Sequence, residues 1–100
     1  MNIRKCFITH CEECNAFNLF YKGVQIHVSF KSLQFILSGI YQYDNLDDRI
    51  KSEKPFRIKI DPVFLTIDNN DYNWFKEEVE NAVMQKLNIQ RFNIYNYLNN

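Results

Sequence analysis

Apolar residues occupy every second position from Phe17 to Tyr21 and again from Val24 to Val28, then change to three-and-four spacing at Leu33, Ile36, Leu37 and Ile40. Alternation lines one face of a strand and the wider spacing lines one side of a helix, so this stretch predicts strand, turn, strand, helix. Lys22-Gly23 breaks the alternation where glycine can take the positive φ of a tight hairpin turn. The same succession returns downstream: Phe56, Ile58 and Ile60, an Asp61-Pro62 turn, Val63, Leu65 and Ile67, then a helical stripe of Tyr72, Phe75, Val79, Ala82 and Val83. Shifting the chain by 39 residues lays Phe17 on Phe56, Val24 on Val63, Gly23 on Pro62 and Phe35 on Trp74. Turn residues therefore recur along with core residues, which is what an internal repeat of two ββα units predicts.

Helix starts are marked where the period changes. Ser29 and Asp68 each offer a side-chain oxygen to the free N–H groups of a first turn, and Asp71 adds negative charge at the positive end of the second helix. Lys76, Glu77, Glu80 and Asn81 lie opposite the apolar stripe and predict a solvated face. Gly39 weakens the first helix by roughly 1 kcal/mol relative to Ala and marks a point of close packing. The expected fold is a single α+β domain: a cysteine segment over 1–15, a ββα unit over 16–43, a polar connector over 44–55 with room for one helical turn, a second ββα unit over 56–87, and a tail over 88–100 that leans towards helix. The four strands are expected to form one antiparallel sheet with both helices on one face.

Composition narrows the function. The chain has 100 residues, 46% hydrophobic and 24% charged, with 9 Phe and 6 Tyr, which suits one folded core and excludes disorder. Twelve basic and twelve acidic residues cancel, so a dedicated polyanion binder is disfavoured and nucleic acid ranks below a protein partner or self-association. No apolar run is long enough to span a bilayer and the N-terminus lacks a secretory pattern, so a cytoplasmic protein with no membrane partner is expected. Two glycines leave no phosphate-binding loop, and two histidines make no catalytic cluster, so no enzyme is expected.

The segment CFITHCEECN holds the one recognisable chemical pattern. Cys11 and Cys14 have the C-x-x-C spacing with which two thiolates grip Zn²⁺, and Asn15 accepts the left-handed backbone of such a knuckle. Cys6 is a candidate third ligand. His10 is a candidate only if the chain bends, because neighbouring side chains in a strand point to opposite faces. Structural zinc on Cys6, His10, Cys11 and Cys14 thus stands against three reduced thiols, one or two buried as small apolar residues.

The cysteine pair together with Phe17, Leu19, Val24, Ile26, Phe35, Leu65 and Phe75 resembles a family of small bacterial domains of unknown function, with an N-terminal C-x-x-C followed by two strand-helix units. The resemblance implies the fold and no activity. The outward strand face offers Phe20, His27, Arg57, Lys59 and Phe64 as a candidate interaction surface. Two functions follow from it: a small non-enzymatic binding or scaffold protein, or, as the alternative, a module that stacks single-stranded nucleic acid on an open sheet.

Overall fold

The computed structural model describes residues 6–11 and 16–88. In chain order these form β1 (Cys6–Cys11), β2 (Ala16–Tyr21), β3 (Val24–Ser29), α1 (Phe30–Asp44), α2 (Asp48–Glu53), β4 (Phe56–Ile60), β5 (Val63–Ile67), a single 3-10 turn (Asn69–Asp71) and α3 (Tyr72–Leu87). Both predicted hairpins form in the predicted register. Lys22 and Gly23 take φ of 47° and 81° and bring Tyr21 opposite Val24, and Asp61-Pro62, joined by a cis peptide, brings Ile60 opposite Val63.

The sheet differs from expectation. Strands β1, β2 and β3 form one antiparallel sheet and β4 and β5 form a separate one, in place of a single four-stranded sheet. Two causes account for this. The cysteine segment is itself a strand and pairs with β2 from Cys6 opposite Tyr21 to Cys11 opposite Ala16, so the first hairpin gains its third strand locally. On the other side, α1 leaves β3 directly at Ser29, whose Oγ accepts the Ser32 N–H at 3.1 Å, and runs on to contact β4. A period of two identifies the buried face of a strand and carries no information about its edge partner.

One apolar cluster joins the inner faces of both sheets to α1 and α3, with Leu19, Leu33, Ile36, Leu37, Ile40, Ile67 and Phe75 among its fully buried members. Gly39 sits where α1 meets β4. A Cβ there would lie 3.3 Å from Ile58 Cδ1, which is the close approach the glycine predicts.

The start of α3 also departs from the sequence reading. The 3-10 turn intervenes after Asp68, which makes no side-chain cap. Its carboxylate instead pairs with Lys22, and its N–H donates to Tyr21 Oη at 3.0 Å while that hydroxyl donates to the buried Asp71 at 3.0 Å. The first hairpin is thereby tied to the entrance of α3. Along α3, Tyr72, Lys76 and Glu80 recur every four residues and face α1. Tyr72 Oη and Lys76 Nζ each lie 2.5 Å from an Asp44 carboxylate oxygen, and Tyr41 Oη donates to Glu80 at 2.6 Å. Glu80 is only 6% exposed, so the expected solvated face of α3 is in part a polar seam between the helices.

Candidate functional site

The cysteine segment was the first candidate. As β1 is extended, its side chains alternate: Cys6, Ile8 and His10 turn to the inner face with Tyr21, Leu19 and Phe17 opposite, and Phe7, Thr9 and Cys11 turn outward. Cys6 and His10 stand at the two ends of one face, and Cys11 stands on the other. Cys6 is fully buried, and burial first, then the nearby Glu78 and Asp71 charges, pushes its thiol up to about 12, away from the thiolate that metal binding requires. His10 is exposed and stacks on Phe17 with ring centres 4.7 Å apart. Cys11 is disulfide-bonded, where a reducing compartment predicts a thiol. Cys14 lies outside the described residues. Among the described residues no group of three or more His, Cys, Asp or Glu side chains converges as a metal site would.

The outward strand face was the second candidate, and the split of the sheet divides it. On the first sheet, Phe20 is half-buried and stacks on Phe7 with ring centres 4.5 Å apart, and His27 Nδ1 lies 3.1 Å from Asn18 Oδ1. The outer faces of β2 and β3 carry neither Lys nor Arg. On the second sheet, the basic and aromatic groups come together. Phe64 is 57% exposed, with Arg57 over its ring at 4.7 Å and Lys59 at 5.4 Å. The register explains the grouping. Lys59 lies directly opposite Phe64 and Arg57 opposite Thr66, so all four point away from the buried Phe56, Ile58 and Leu65. An exposed cation–π contact contributes about 0.5–1 kcal/mol, enough to hold the cations in place and too little to hide the ring.

Beside this face run two grooves of about 540 Å³ each. The first lies between α1, α2 and β4, with the exposed Phe35, Leu46 and Ile50 along it. The second lies where β3 approaches the end of β4 and brings His27 of the first sheet into the same depression as Lys59. Phe35 and Lys59 border both, so the two are continuous. Lys54, Arg57 and Lys59 line the first groove and no acidic side chain does. The second groove adds Lys31 and Asp61, whose carboxylate lies 3.3 Å from Lys59 Nζ, so across both grooves four basic side chains meet one acidic one and the neutral chain carries a local net positive strip.

Sequence reasoning placed Arg57, Lys59 and Phe64 correctly on one face and missed Phe35, Leu46 and Ile50. A signal for Phe35 existed. At about 100° per residue it falls roughly 200° around α1 from Leu33, on the side that should be polar. Leu46 and Ile50 belong to the connector, whose charges concealed its two apolar residues. Compared with protein-family models, with curated proteins and with solved structures, the chain gives no match.

Proposed function

We propose that this chain is a small non-enzymatic binding protein whose docking face is the outer side of the second hairpin together with the groove beside it. The carrying observation is the exposed Phe64 held between Arg57 and Lys59, next to three further exposed apolar side chains bordering one groove. Single exposed apolar residues are ordinary on any protein surface. Three large ones along a groove lined by Lys54, Arg57 and Lys59, with Phe64 on the adjoining outer face against the same Arg57 and Lys59, are the composition of an interface.

Stacking on single-stranded nucleic acid is the second reading, favoured by the same Phe64–Arg57–Lys59 group. It ranks lower because the cations stop at the second sheet: the first sheet presents Phe7, Phe20, Asn18 and Gln25 outward with no positive charge to continue a backbone track.

A photoreactive phenylalanine analogue at position 64, with one at position 20 as control, separates the readings. Incubated with a cell extract, the position-64 protein is expected to give discrete adducts that excess unlabelled protein competes away and nuclease leaves intact. Nuclease-sensitive adducts would establish the second reading. Equal labelling at both positions would contradict a docking face on the second hairpin.

A further inference from the structure

We infer that the occupant of the groove is an extended segment of another protein that adds to the free edge of β4 as a new strand, with acidic side chains alternating with apolar ones. The inference rests on the docking reading above and specifies its partner.

The geometry points to the edge. Every residue from Lys54 to Asp61 lines one or other of the two continuous grooves. Side chains along a strand alternate between faces, so a depression that touches consecutive residues follows the strand's backbone edge and neither of its faces. That edge is unpaired among the described residues, because β4 has β5 as its one neighbour in the sheet. At about 3.3 Å per residue, a strand of five to eight residues spans roughly 17–26 Å, a length suited to lying along the whole of β4. Exposed sheet edges are templates for strand addition, in which main-chain hydrogen bonds give affinity and alternate side-chain pockets give specificity.

Charge selects the occupant. Arg57 and Lys59 project on the outer side of β4, and Phe35, Leu46 and Ile50 lie on the groove side. A strand laid beside β4 places alternate residues next to those cations and the intervening ones against apolar surface, which acidic and apolar side chains satisfy in turn. A second copy of this chain is a poor occupant. The antiparallel β4–β4 registers that overlap most and keep the apolar faces together set Arg57 opposite Arg57, Arg57 opposite Lys59 or Lys59 opposite Lys59, and like charges directly opposite are destabilising.

The test uses the full chain and a capped seven-residue peptide of alternating valine and glutamate, followed by NMR shifts and amide exchange. The expected result is saturable binding that slows exchange in β4 and spares β2. Two controls accompany it: the peptide with every amide N-methylated, and the R57E/K59E variant, which is expected to bind the glutamate peptide about tenfold more weakly and to gain affinity for a valine-lysine peptide. Unchanged binding by the N-methylated peptide would overturn strand addition while leaving the docking face in place. Binding of oligothymidylate without binding of either peptide would overturn both this inference and the protein-partner reading. No binding of any probe would overturn the inference alone, since the cross-linking comparison tests the docking face independently.

Discussion

The two hairpin–helix halves begin from nearly the same pattern and finish differently. In the first, β2 is flanked on both sides by β1 and β3, and its outer face closes on itself through the Phe7–Phe20 stack and the Asn18–His27 contact. In the second, β4 and β5 have only each other, and the outer face presents Phe64 with two cations. Similar buried faces therefore give one hairpin flanked by a third strand and one hairpin with none among the described residues. The difference lies in the third strand, and the surface proposed for binding lies on the half that lacks one.

The contrast can be broken first in the core. Leu19, central in the three-stranded sheet and fully buried, should lose about 2–5 kcal/mol of stability on replacement by Ala, measured by denaturant unfolding. Leu65→Ala in the two-stranded sheet should fall in the same range, because both face one cluster. Separate unfolding transitions for the two variants would divide the halves. The seam between the helices ranks next: Tyr41→Phe removes the hydroxyl that donates to the nearly buried Glu80 and should cost about 1–3 kcal/mol. Gly39→Val forces side-chain volume against Ile58 and should cost about 1–3 kcal/mol, with chemical-shift changes centred on β4.

Alkaline pH acts mainly through the first half and the helix seam. Burial raises Cys6 from 9.0 to about 12, and burial is also the leading cause that raises Tyr21, Tyr43 and Tyr72. The folded chain holds these protons more tightly than the unfolded chain, so stability is intact below pH 9 and falls as pH rises from there through 12. Melting temperature should drop across that window, and at pH 8 alkylation of Cys6 should proceed no faster than unfolding. The smallest effect belongs to the surface. Phe64→Ala and Arg57→Glu should each change stability by less than about 0.5 kcal/mol while weakening binding, which separates a docking residue from a structural one.

Much of the fold was legible because hydrophobic spacing encodes local structure and the buried side. The Lys22-Gly23 turn, the Ser29 cap and the tight packing at Gly39 all follow from residue type at a position. The third strand at Cys6–Cys11 was obscured because CFITHC alternates only weakly between apolar and polar positions. The separation of the sheets was not legible, since edge pairing depends on where α1 crosses after leaving β3. Glu80 looked like a solvent residue because its burial depends on long-range contacts such as the hydrogen bond from Tyr41 on α1. The basic–aromatic group at Arg57, Lys59 and Phe64 was legible from alternation alone, but the groove beside it was not, because it arises from the way three successive elements, α1, α2 and β4, pack against one another.

Residue-resolved amide exchange of the free protein tests the central claim most directly. Amides of β2, paired on both sides, should be protected to the limit set by global unfolding, whereas alternate amides of β4 should exchange close to the rate of unstructured chain. Strong protection at all five β4 positions would mean that the edge is already occupied, and would contradict the account.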